Sequence, residues 1–314
     1  RLNFFIICES VATVTGGVSP ASCLSFIFYK RLSLMAKILI IGCGDIGGQL
    51  ARVLAAGGHR VTGLKRKPPA TAAEGIHYIA ADISVPGDFD DLPLDFDIVY
   101  FIVSPDGRNE HSYRAVYESG LNNLLSAFLR ADSSPRWIFV SSTSVYGQSQ
   151  GEWVDENSIA QPASATSQLI RQAEQTLMDL DAGHVVVRFS GIYGPGRESL
   201  LRMAGETPVV RQNPPYFTNR IHQQDCVGVL AFLLERHLAG VALEPCYLAG
   251  DDDPAPMWEV MSWLAERMNC PPPVAKNTGD HGGMNKRCSN RRLKALGYRF
   301  RYPGFRDGYL ELIK

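Results

Sequence analysis

The chain has 314 residues, about 45% apolar and 20% charged, and 31 basic residues against 32 acidic ones leave a formal charge of −1. That length can bury a sizeable core, as one large domain or as two unequal, closely packed lobes. Near-neutral charge gives no global pull toward nucleic acid or an anionic membrane. Seven scattered cysteines without a CxxC fit reduced thiols in a cytoplasmic compartment, and seven histidines without an HExxH give no metal-site signal.

Residues 1–34 mix short apolar runs with Gly, Pro and Ser, and none approaches the roughly 20 apolar residues that span a bilayer. Met35 stands directly before a clean strand pattern, so this segment reads as upstream sequence or an extension outside the functional domain, a targeting peptide being the alternative. Lys37 to Ile41 (KILII) then reads as a strand, Gly42 to Gly48 (GCGDIGG) as a tight turn, and QLARVLAAGG as a helix. Gly42 permits the turn, Gly44 lets a pyrophosphate approach the backbone, and Gly47 lets helix and strand pack closely. Asp45 and Ile46 complete the turn, where the helix N-terminus offers unpaired N–H groups to phosphate. A second strand follows at Arg60–Gly63 after the Gly57-Gly58 stop.

The end of that strand bears on the cofactor. An acidic residue there would hold the ribose 2′-OH of NAD, whereas the chain carries Lys65, Arg66 and Lys67. These can pair with a 2′-phosphate, Arg66 foremost, which favours NADP over NAD; a solvated surface loop is the plainer reading. Ile76–Ala80 reads as the next strand, ending at Asp82 and Ile83, an acceptor for the adenine amino group and a face for its ring. Asp97 to Val103 is central-strand material that exits through Val103 and Ser104 into a loop over the cofactor. A helix over about His111 to Arg130 and strands at Arg136–Val140 and Val185–Phe189 complete an α/β pattern, a doubly wound parallel sheet of Rossmann type.

Five segments stand in one order: GCGDIGG, AADI, SSTSVYG, RFSGIYGPGR and NRIHQQD. On these the span from Met35 to about Ile313 resembles the extended short-chain dehydrogenase/reductase family, the NAD-dependent epimerase/dehydratase group, most closely an atypical branch with a tail like KRCSNRRLKALGY. The resemblance implies a dinucleotide-binding core over 35–190 and a substrate lobe over 191–314 that returns some elements to the core. It implies that Ser142, four residues before Tyr146, hydrogen-bonds a substrate oxygen, with Thr143 beside it. It also implies that Ser190, Gly191, Ile192 and Tyr193 wall the nicotinamide end, and that the helices near 111–130 and 164–182 form a homodimer surface.

The family's usual proton relay is a Tyr and a Lys one helical turn apart, the Lys lowering the Tyr pKa and holding the nicotinamide ribose. Aligning Glu174 with the acid that follows that Lys puts Thr166 and Ile170 in those places; a slip of one residue puts Ser167 and Arg171 there. No lysine occurs between Lys67 and Lys276. Three readings follow: an oxidoreductase or epimerase using another acid, among Tyr146, Asp106, His111 and Tyr193; an NADP-binding sensor or scaffold without turnover; or chemistry in which Ser142 and ordered water suffice.

In the smaller lobe Asp225 is expected to cap the helix Val227 to Leu234, and Arg220 and His222 to reach the substrate. Arg197, Arg202 and Arg220 near one cleft point to an anionic or phosphorylated small molecule. The basic tail from Met284 to Arg301 interleaves Leu293, Leu296, Tyr298 and Phe300, so it reads as a packed segment and not as a nucleic-acid surface. Gly279 to Gly283 reads as a mobile lid.

Overall fold

The computed structural model describes residues 35–71, 73–276 and 283–313. The first half alternates strands and helices: β1 (Lys37–Ile41), α1 (Asp45–Ala56), β2 (Arg60–Lys65), β3 (Ile76–Ala80), β4 (Ile98–Phe101), α2 (Glu110–Arg114), α3 (Leu121–Arg130) and β5 (Arg136–Ser142). Then come β6 (Glu152–Val154), α4 (Ala165–Leu180), β7 (Val185–Phe189), β8 (Gly191–Tyr193), α5 (Ser199–Gly205), β9 (Val209–Arg211), β10 (Phe217–Thr218), β11 (Arg220–His222) and α6 (Gln223–Leu238). The chain closes with β12 (Cys246–Ala249), β13 (Ala255–Pro256), α7 (Met257–Arg267), β14 (Val274–Lys276), β15 (Lys286–Cys288), α8 (Arg291–Ala295) and α9 (Phe305–Leu310).

Seven strands form one parallel sheet in the order β12-β7-β5-β4-β1-β2-β3. Alternation along each strand divides its side chains between two helical layers. Leu39, Val99, Phe101 and Phe139 face a core closed by Leu121 and Leu124 of α3 and Leu169 and Leu177 of α4. Ile38, Ile40, Tyr100 and Val187 face the opposite core, closed by Leu50 and Leu54 of α1 and Leu230 and Leu233 of α6. Both sheet faces are therefore covered, which explains why every residue of β4 and β7 is buried, the β7 run being apolar except for Arg188. A third, smaller core joins Tyr193, Leu201, Val260, Leu264 and Phe305.

Several elements differ from the sequence reading. The helix expected over His111 to Arg130 is interrupted by a π-helical turn, Ala115–Gly120, between α2 and α3. Gly120 in that turn lets Ile83 approach, since a Cβ there would lie 2.7 Å from Ile83 Cγ1. α6 begins at Gln223, so Asp225 lies inside its first turn and His222, accepting from the Gln224 amide, is the N-cap. Asp225 instead anchors the C-terminal segment, accepting from Tyr298 Oη (2.9 Å) and the amides of Arg301 (2.8 Å) and Tyr302 (3.0 Å). The proposed lid at Gly279 to Gly283 lies outside the described residues except for Gly283.

Candidate functional site

The connections from β1 and β4, neighbours in the sheet, leave toward opposite faces, so a crevice opens beyond their C-terminal ends. The glycine turn occupies its floor. Gly42 has φ +87°, and a Cβ there would lie 2.6 Å from Ile102 O, so both conformation and space demand glycine. A Cβ on Gly47 would lie 2.4 Å from Gly42 O, which fixes how closely α1 docks on β1. Gly44 is the opposite case: nothing lies within 4 Å of a Cβ built there. It begins α1 without a side-chain cap, leaving the first amides of a 12-residue helix for another partner. The Gly42 amide donates to Leu64 O (3.0 Å), tying the turn to β2.

Two ion pairs flank this turn. Beyond β2, Arg66 makes a bidentate pair with Asp106 of the loop after β4, at 2.5 and 2.6 Å, across the end of the intervening β1. Asp45, first residue of α1, accepts at 2.8 Å from Arg197 Nε in the loop after β8. Val103 lies beside the turn, its Cα 2.8 Å from where a Gly42 Cβ would sit, and Ser104 follows it in the chain. Asp82 spends its Oδ1 on the amide (2.9 Å) and hydroxyl (2.7 Å) of Ser84, closing its own turn. Ile83 is buried in the α3-side core against Gly120, so its expected contact with an adenine ring is corrected: its side chain has no free face to offer.

β5 ends at Ser142, whose Oγ accepts from the Ser144 amide at 3.1 Å and caps a short turn over Thr143–Val145. Tyr146 is fully buried, its hydroxyl donating to Asp155 O (2.8 Å) and accepting from Arg188 Nη1 (2.6 Å). Burial pushes its pKa up against the pull of Arg188, and its hydroxyl is committed to the core, so Tyr146 is not an acid for the crevice. On α4, Thr166 is half-buried and Ile170 buried in the core. Arg171 turns along its own helix, pairing with Glu174 (3.1 Å) and Gln175 (3.2 Å), which corrects the expectation that it holds the ribose. Glu174 is wholly buried and accepts from Ser141 Oγ and from Arg188 Nε (2.9 Å) and Nη2 (2.6 Å), making it a structural hub.

The arginines of the smaller lobe do not converge. Arg220 is buried, donating from Nη2 to Asp253 O at 3.0 Å and lying over the Phe305 ring, while Arg202 is solvent-exposed. His222 is buried with its ring against Tyr193 (5.2 Å) and Tyr302 (3.9 Å). Of the three arginines, Arg197 alone stands at the crevice. The basic tail is largely engaged within the protein: Lys286 is buried, Arg287 lies over Trp153 and Phe217, and Lys294 pairs with Asp252. No helix among the described residues is long and apolar enough to cross a membrane.

The family model of the NAD dependent epimerase/dehydratase family matches residues 38–235. The chain belongs to that family. Protein YeeZ of Escherichia coli K12 is 29% identical over 276 residues, covering 86% of this chain and 97% of its own length. A Methylobacillus flagellatus protein assigned as an NAD-dependent epimerase/dehydratase is 35% identical, with TM-score 0.72 over 88% of this chain and 97% of that one. MoeE5, solved with UDP-glucose and NAD, is 22% identical with TM-score 0.71, over 88% of this chain and 97% of its own. Its second structure, with UDP-glucuronic acid, also holds NAD. These complexes overturn the preference for NADP drawn from Lys65, Arg66 and Lys67. The physical reason is local: the Arg66 fork is taken by Asp106, a carboxylate that would repel a 2′-phosphate.

With the family's usual Tyr and Lys missing from α4, other titratable groups near the turn after β5 come forward, and sequence reasoning did not find them. β15 pairs with β6, bringing Lys286 and Cys288 against a segment more than a hundred residues earlier. Lys286 Nζ donates to Tyr146 O at 2.9 Å, and burial pulls its pKa down. Burial pushes the Cys288 thiol up to about 11, against the opposing pull of Lys286 and of the Thr143 and Ser190 hydroxyls beside it. Cys288 and Asp251 both line a cavity of about 250 Å³ with Trp153, Asn290 and Lys294. Burial raises the Asp251 carboxyl to about 8 although Arg220 Nε lies 3.9 Å away and pulls it down. The only sequence signal was the tail KRCSNRRLKALGY, whose first residues, Lys286 to Cys288, pair with a strand more than a hundred positions earlier.

Proposed function

We propose that this protein binds NAD across the crevice at the C-terminal ends of β1 and β4 and acts as an oxidoreductase or epimerase on a small carbonyl or sugar-like substrate. The observation that carries this reading is the contrast within the glycine turn: Gly42 and Gly47 are packed against backbone, while Gly44 opens onto free space. A backbone bare at that one point suits a diphosphate seated on the first amides of α1. NAD supplies hydride exchange at its nicotinamide. Gly42, Gly44, Asp45, Ile46 and Gly47 form the diphosphate cradle, and Val103 and Ser104 border it. Lys65, Arg66 and Asp82 surround the adenosine end, and Ser190 and Ile192 the nicotinamide end. Ser142 and Thr143 orient the substrate oxygen, with Thr166 on the neighbouring helix.

The proton that accompanies hydride transfer needs a holder other than a tyrosine on α4. Burial raises Asp251 and Cys288 to about 8 and about 11, and both line one cavity. Either, in its protonated form, supplies the proton when hydride moves to a carbonyl, and the Asp251 carboxylate, once ionised, receives it in the reverse direction. MoeE5 carries UDP-glucose and UDP-glucuronic acid, which makes nucleotide sugars the first substrates to try. One specific observation favours a second reading, an NAD-binding protein without turnover: Thr166 and Ile170 replace the usual pair, and Tyr146 is locked in the core. Incubating the purified protein with NAD and a panel of nucleotide sugars and small alcohols, while following NADH absorbance and product stereochemistry, separates the two. Turnover with any member supports the enzyme; saturable NAD binding with none supports the second reading.

A further inference from the structure

We propose that Arg197 is a ligand of the dinucleotide's diphosphate and that Asp45 is the counter-ion it leaves when the dinucleotide binds. This rests on the cofactor reading above and assigns a residue outside the glycine turn. Asp45 is the first residue of α1, so its carboxylate stands where the helix amides meet a diphosphate. Two negative groups cannot share that position without a cation between them. Arg197 Nε supplies one, 2.8 Å from Asp45 Oδ2.

The guanidinium is presented by a fixed support. The Arg197 amide donates to Gly194 O at 2.9 Å, closing a tight turn in which Gly194 and Gly196 have φ +141° and +77°. A Cβ on Gly194 would lie 2.8 Å from Gln223 Cγ, so the turn is seated against the start of α6. Arg197 engages only its Nε among the described residues, leaving both Nη groups free to donate to phosphate oxygens. Asp45 has somewhere to go: Gln49 Nε2, one turn along α1, donates to its Oδ1 at 2.9 Å and can hold the carboxylate on the helix flank. The resting pair is partly exposed, 39% for Arg197 and 42% for Asp45, and such pairs exchange partners at little cost.

Calorimetric titration of NAD into wild type, R197Q and D45N tests this, with thermal melts to verify folding. We expect R197Q to bind about tenfold more weakly, as loss of a charge-assisted hydrogen bond implies. We expect D45N, which frees Arg197 and removes the like charge, to bind several-fold more tightly. R197Q affinity within twofold of wild type would overturn the proposal. So would weakening in both variants, which would make the pair a structural clasp between α1 and the smaller lobe. No binding by wild type itself is a different failure, because it removes the cofactor reading beneath.

Discussion

The glycine turn and helix α4 are both places where the family concentrates function, and here they have diverged in opposite ways. At the turn, the side chains are minimal and the backbone supplies the chemistry: a Cβ on Gly42 or Gly47 would lie within 3 Å of backbone, and Gly44 stays open. At α4 the family's chemistry lies in side chains, and this chain has packed one of the two positions into the core: Ile170 is buried and Glu174 beyond it clamps Arg188. A backbone device survives as long as the fold does. A side-chain device can be replaced by packing without disturbing the scaffold.

The contrast breaks most clearly at Glu174. Replacing it with alanine strands Arg188 in the core, and we expect a loss of about 3–5 kcal/mol by urea denaturation. The remaining folded protein should keep its NAD affinity, because Glu174 is wholly buried and its bonds go to Ser141, Arg171 and Arg188.

Next in size is a pH effect at Asp251. Its carboxyl is raised to about 8 by burial, so the folded chain holds a proton there that an unfolded carboxyl gives up near its ordinary value of 3.8. That stabilisation is full below the unfolded value and is lost as pH rises toward the folded one. The loss is at most about 1.4 kcal/mol per pH unit between the two. Denaturation midpoints should therefore fall from acid toward pH 8, and Asp251→Asn should flatten the slope.

Within the turn itself, Gly47→Ala should lower stability by about 1–3 kcal/mol, since its methyl meets Gly42 O. Gly44→Ala should leave the melting transition within about 1 kcal/mol of wild type yet weaken NAD binding tenfold or more, the methyl standing where a phosphate belongs. Calorimetry with parallel melts checks both. The smallest effect belongs to Arg66→Ala: the Asp106 pair is 54% and 68% exposed, so stability should change by about 0–1 kcal/mol and NAD affinity by less than threefold.

What could be read in advance was local. The β1–turn–α1 unit is contiguous, and its glycines report backbone geometry directly, so the fold and its crevice were legible. Arg66 misled because its partner lies 40 positions away, and a basic run tells nothing of what already neutralises it. Tyr146 misled because its hydroxyl is turned inward by Arg188, 42 positions on. Asp225 stood at the start of a helix, yet its carboxylate serves residues 73 to 77 positions later. Lys286 reaches the turn after β5 across 140 positions, through a three-residue strand pairing that no pattern announces.

Fluorescence titration of NADH against the wild-type protein, followed by displacement with NAD, asks most directly whether a dinucleotide sits in the crevice. We expect nicotinamide emission to rise to a plateau and to fall again as NAD competes. A flat response to both nucleotides up to millimolar concentration would contradict the cofactor assignment and leave a Rossmann fold that has parted from its ligand.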